Sequence, residues 1–223
     1  MMITSTVARR AGVVTDEPGR AATLKEMTMS ATEVTHVLEQ WAQRLRDLGA
    51  RGVGQLRAGL SSDQIDALSA QYDLTLPEDA RAIWAWHDGE DTGAQSLAPY
   101  REFPPLRDAL EYARTCAQNA IDWGAADDEE LAAIIYRREF VPFLGYQHPL
   151  VFDCRTPAPT TTMWTPDGGL EETISMTTVE RVRWWHWALD HGAWSITADG
   201  TWAVDFSRYP GAKGDLSVRD VLS

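Results

Sequence analysis

The stretch LPEDARAIWAWHDG, residues 76–89, decides how the chain around it is read. Pro77 suits the first position of a helix, where its fixed φ helps and its missing N–H costs nothing. Glu78 and Asp79 then sit at the positive end of the helix dipole. Gly89 can take the left-handed conformation that closes a helix. At about 100° per residue, Ala80, Ile83, Trp84 and His87 share one face while Trp86 points elsewhere. The spacing predicts a short amphipathic helix with strong punctuation at both ends.

Working upstream, Ser61 with Gln64 has the spacing of a capping box, so a helix starts there and turns Ile65 and Leu68 inward. Residues 72–76 form an extended link from it into the helix above. Before it, Val34, Val37, Leu38, Trp41, Leu45 and Leu48 recur at helical spacing, and Gly49, Gly52 and Gly54 end that pattern. Residues 1–28 lack any such period and read as a disordered tail. The expected division is therefore a tail (1–28), a helix and linker (30–57), an α+β domain (58–206) and a C-terminal extension (207–223).

Working downstream, Pro105 stands near the start of a helix carrying Leu106, Leu110 and Ala113 on one side. The run ADDEELAAIIYRREF follows, with acids in its first turn and Arg137 and Arg138 in its last, the charge order a helix favours. The composition then turns to strand. FVPFL, LVFD and TTMWT are short apolar or β-branched runs separated by Gly, Pro and a PDGG turn at residues 166–169. A last helix, TTVERVRWWHWALDHG, ends at Gly192, and Asp199-Gly200 turns a hairpin between AWSIT and TWAVD. Helices grouped early and strands later predict an α+β layer fold.

A chain of 223 residues with 44% hydrophobic content can bury a core that needs no disulfide or metal. Cys116 and Cys154 form no paired motif and fit free thiols in a reducing compartment. The sequence shows no signal peptide and no apolar run of about 18–20 residues, so it reads as cytoplasmic with no membrane partner. A net charge of −13 argues against a nucleic-acid surface, which needs a basic footprint, and suits a basic protein partner.

Motifs of catalysis are missing from the sequence: no GxSxG, Walker A, GxGxxG or HExxH. His186 and His191, five apart, fall off a common helical face, so no metal site and no cofactor is expected. His87 reads as a core histidine satisfied by backbone carbonyls. The acids Asp127, Asp128, Glu129 and Glu130 suit a solvated helix start or a patch for a basic partner. Ten tryptophans are unusual, and WWHW concentrates three of them. Val179, Val182, Trp185, His186 and Leu189 make a core stripe. Trp184 and Trp187 lie opposite, either covered by the C-terminal tail or exposed as binding anchors.

Residues 59–89 resemble the N-terminal signature of the SUKH superfamily, which includes a yeast cell-wall assembly regulator and many bacterial toxin-immunity proteins. Gly59, Ile65, Leu76, Pro77, Trp84, His87, Asp88 and Gly89 stand at matching places. FVPFLGYQHPLVFD is similar to the family's second block through Pro142, Phe143 and Asp153, although its loop Tyr146, Gln147, His148, Pro149 replaces a Gly-rich one. The resemblance implies a central, mainly antiparallel sheet flanked by helices, here with an N-terminal helical extension, and no enzymatic activity. Of the twenty basic residues only Lys25 and Lys213 are lysine, as in a GC-rich bacterial genome, which favours the immunity branch. The signature residues would then make the fold. A basic toxin domain encoded nearby, a nuclease for instance, would be held by Asp88, Glu90, Asp91 and the acids at 127–130, with Trp184 or Trp187 as anchor. A scaffold of the cell-wall regulator type is the alternative, and a deep cleft with convergent polar groups would point instead to an enzyme.

Overall fold

The computed structural model describes residues 31–122, 136–155, 160–165 and 169–210. The expected tail, the run at 123–135 with its acidic quartet, residues 166–168 of the PDGG turn and the last thirteen residues lie outside them.

Four helices come first: α1 (Ala31–Asp47), α2 (Ser62–Gln71), α3 (Glu78–Trp86) and α4 (Leu106–Asp122). A sheet of β1 (Phe140–Leu144), β2 (Leu150–Asp153), β3 (Thr160–Thr165) and β4 (Gly169–Thr177) follows. Helix α5 (Thr178–Asp190) and a hairpin, β5 (Trp194–Ile196) with β6 (Trp202–Val204), complete the chain before a 3-10 turn at Phe206–Arg208. The fold is α+β with a central antiparallel sheet. Its four strands lie in the order β1-β2-β3-β4, each antiparallel to the next. Strand β4 is not marked in the sequence by apolar alternation. Arg137 and Arg138, read above as the last turn of a helix, lie in the turn that leads into β1.

Strand alternation gives the sheet two faces. Val141 pairs with Phe152, so these and Phe143 point to one side, against α3 and α5: Trp84 meets Phe152 at 6.3 Å and Trp185 stacks on Phe143 at 6.3 Å. Phe140 and Val151 point to the other, where Ala113 of α4 and Tyr136 cover them in a second, smaller core. Pro142 has no N–H to give, and β1, at the edge of the sheet, is where a strand tolerates that loss.

The helix read from the opening stretch exists, shifted by one residue at its start. Pro77 is the residue before α3, with ψ 156, and its carbonyl accepts the Arg81 N–H. Ala80, Ile83 and Trp84 are fully buried, as the wheel requires. His87 has left the helix (φ −147, ψ 138) and donates from Nδ1 to the Arg57 carbonyl, so it closes a loop rather than filling the core. Gly89 does take a positive φ of 75°, but three residues past the helix end, where a Cβ would lie 2.3 Å from Pro105 N.

This region closes on itself. Leu60 N–H donates to the Trp84 carbonyl and Arg57 N–H to that of Gly89. Gly59 passes so near α3 that a Cβ there would sit 1.9 Å from the Ala85 oxygen. The obstructing atom is backbone, which cannot swing aside. Gly59→Ala is therefore expected to cost about 1–3 kcal/mol through overpacking, read as a lowered melting midpoint; an unchanged midpoint would show that the two segments can part freely.

The N-terminal helix is not an appendage. Val34, Leu38, Trp41, Ala42 and Leu45 are all fully buried and belong to the same core as Ile65, Leu76, Ile83, Trp84 and Phe143. Helix α1 packs on α3 and α5, and Trp41 Nε1 donates to the Leu97 carbonyl at 2.9 Å.

Candidate functional site

Of the residues expected to meet a partner, two of the acids turn inward. Asp88 is half-buried and its Oδ1 accepts the Leu106 N–H at 2.8 Å, capping α4 from a distant loop. Burial raises its pKa, and the Leu106 bond offsets part of that rise. Glu90 is 3% exposed and accepts the Gln95 and Ser96 N–H groups, each at 2.7 Å. Burial likewise raises the Glu90 pKa, against the pull of those bonds. A carboxylate committed to backbone donors is a loop organiser, so Asp88 and Glu90 are corrected from contact residues to structural ones. Asp91 is exposed and pairs with Arg57 at 3.3 Å.

The aromatic anchors are corrected in part. Trp184 is only 9% exposed, because Trp194 of the hairpin packs edge-on against it at 5.1 Å and Tyr209 covers it at 5.7 Å. The segment after α5 does cover it, as one of the two readings had it. Trp187 is half-buried and stacks on His191 at 4.3 Å. His186 turns the other way. Its Nδ1 faces Arg44 Nη1 at 2.8 Å, and since a guanidinium only donates, that nitrogen must be the acceptor. Burial chiefly, then the Arg44 charge, lowers the His186 pKa. Among the described residues no group of three or more His, Cys, Asp or Glu side chains converges in a way that could hold a metal.

The signature residues sit as structure. Ile65, Leu76, Trp84 and Phe143 are buried together, and Gly59, His87 and Gly89 stitch the loop as described. Asp153 ends β2 in a two-pronged contact with Arg155; burial acts to raise its pKa, but those bonds and the Arg155 charge hold it below the usual range.

The feature the sequence does not announce is a cleft of about 540 Å³. It opens where the sheet face bearing Leu150, Met163 and Met176 runs out from under α5. Trp184 and Trp185 form its wall, and Trp194, Phe206 and Tyr209 close it from the hairpin side. Two arginines reach it. Arg101 Nη1 donates to the His148 carbonyl at 2.7 Å while Nη2 lies 3.6 Å from the Met163 sulfur. Arg181, 6% exposed, donates to the Thr161 carbonyl at 2.9 Å and the Thr161 hydroxyl at 3.3 Å.

Burial, then the Arg101 charge, brings the Arg181 pKa down to about 10, with Glu180 acting against them. Burial lowers that of Arg101 as well. Arg181 thus stays protonated at neutral pH despite its surroundings. Besides its indoles, the polar side chains on the cleft are Tyr100, Arg101, Gln147, His148, Arg181 and Tyr209; among the described residues no carboxylate, thiol or aliphatic hydroxyl lines it. Such a donor-rich, aromatic-walled space is equipped to hold an anion with an apolar body.

A sequence signal for half of this exists. Arg181, Trp184, Trp185 and Ala188 recur at i, i+3, i+4 and i+7, an arginine inside an otherwise apolar stripe. Arg101 lies in the loop APYREFPP, where no periodicity places it.

Compared with known proteins, the chain matches no family model, and no curated protein matches it. No helix among the described residues is long and apolar enough to cross a membrane.

Proposed function

We propose that this chain is a non-enzymatic protein-binding module of the SUKH type, acting in the cytoplasm as an immunity protein that neutralises a basic toxin domain. The observation that carries this reading is the charge of −13, which steers a basic partner towards it. The exposed acids Asp63 and Glu78 face that partner freely, and Asp66, Asp73 and Asp91 lie at the surface in ion pairs with Arg81, Arg138 and Arg57, whereas Asp88 and Glu90 are turned inward to backbone donors. Four residues that carry the resemblance support it as fold-makers, since Ile65, Leu76 and Phe143 share one core with Trp84.

The test is co-expression with the toxin domain encoded beside this chain, followed by association measured over a salt series. Cells should survive, and the association rate should fall as salt rises, since screening acts over about 10 Å at 0.1 M. Lack of protection would end the immunity reading. Protection with salt-independent association would remove its electrostatic basis and leave apolar contacts to explain binding.

A further inference from the structure

We propose that the cleft beside Trp184 is a binding site for a small monocarboxylate with a flat, apolar body, an arylalkyl acid being the simplest member, and that Arg101 receives its carboxylate. This goes beyond the partner reading and does not rest on it. A basic partner would be repelled here by two guanidinium groups.

Arg101 is half-buried among Met163, Tyr209 and the hairpin aromatics, and among the described residues it has no carboxylate partner. Removing a cation from water without a counter-ion is costly, and a ligand carboxylate offsets that cost with a charge-assisted pair. Arg181 is engaged by Thr161 and adds positive field from behind rather than a second fork. One cation for direct contact, in a chain of net charge −13, selects a monoanion over a polyphosphate.

Three further observations point to a guest in the cleft. The volume, about 540 Å³, falls within the range of small-molecule pockets, roughly 300–1,000 Å³. Tyr100 and Phe206 line the cleft yet are 68% and 65% exposed, two large rings left in water where a flat guest would cover them. Trp184, 9% exposed, has an indole N–H without a hydrogen-bond partner, an unmet donor in a side chain that lines the same space.

The experiment titrates the full chain with 4-phenylbutyrate, with its uncharged amide and with acetate, following quenching of tryptophan emission. The acid should bind saturably and at least about tenfold more tightly than the amide or acetate, the scale of a charge-assisted bond in a sheltered site. Arg101→Gln should bring the acid down to the level of the amide and leave amide binding unchanged. Because Arg101 also holds the His148 carbonyl, folding of the variant is checked by its circular dichroism. Should it not fold, the acid–amide contrast in the unaltered chain still decides. Equal binding of acid and amide, no saturable binding at millimolar concentration, or an acid preference that survives in Arg101→Gln would each overturn the proposal.

Discussion

Replacing Trp84 by alanine is expected to remove about 3–5 kcal/mol of stability, the range for truncating a buried tryptophan. Trp84 is fully buried and touches both halves of the core: Phe103 at 6.4 Å from the loop before α4, and Phe152 at 6.3 Å from the sheet. Its Nε1 also donates to the Pro104 carbonyl at 3.1 Å, so the variant strands a buried acceptor besides opening a void. For a domain of this size each kcal/mol moves the melting midpoint by roughly 2–4 °C, which makes the expected drop about 6–20 °C. Melting like the unaltered chain would mean that α3 does not bridge helices and sheet.

The second large effect is one of pH. Asp79 in the first turn of α3 is 1% exposed, and neither carboxyl oxygen is hydrogen-bonded among the described residues. Thr178, at the start of α5, lies close and offsets part of the burial effect, which nonetheless raises the Asp79 pKa to about 6; Glu78 and Glu33 add to the rise. The folded state therefore holds this proton more tightly than the unfolded chain does. Its ionisation destabilises the fold fully above pH 6 and not at all below the unfolded value near 3.8. The difference corresponds to roughly 3 kcal/mol at neutral pH.

Stability measured by denaturant unfolding should rise as pH falls from 7 to 5, the reverse of an ordinary acid transition. Asp88 and Glu90, also raised by burial, act in the same direction at lower pH. The carboxylates held low by partners, Asp153 and Asp190 among them, lose their contribution only as pH falls below the usual carboxylate range. Asp79→Asn should flatten the rise between pH 7 and 5. A flat profile in the unaltered chain, or the same slope in Asp79→Asn, would show that the charge is not buried at this position.

Much of the secondary structure was legible because it depends on neighbours in sequence. The capping box at Ser61 and Gln64 forms as read, and β1 and β2 occupy the runs FVPFL and LVFD. The Asp199-Gly200 hairpin forms with Gly200 at φ 76°, since a turn needs only its own residues to specify it. Strand β4, with Glu171 and Glu172 in its first half, carries no clear alternation; it is a strand because β3 offers it a ladder.

What the sequence determined by itself is thus the punctuation and the faces of most elements: where α2 starts and the hairpin turns, where α3 starts to within a residue, and that Ala80, Ile83 and Trp84 face inward. Only the tertiary structure decided which surfaces those faces meet. It drew α1 into the core, turned Asp88 and Glu90 towards backbone amides, laid Tyr209 over Trp184 and brought Arg101 beside Arg181. Periodicity reports how a residue is oriented on its own element. Burial of a charge or an indole depends on what packs against that element from eighty residues away along the chain, as Arg101 and Arg181 do, and no local pattern encodes that distance.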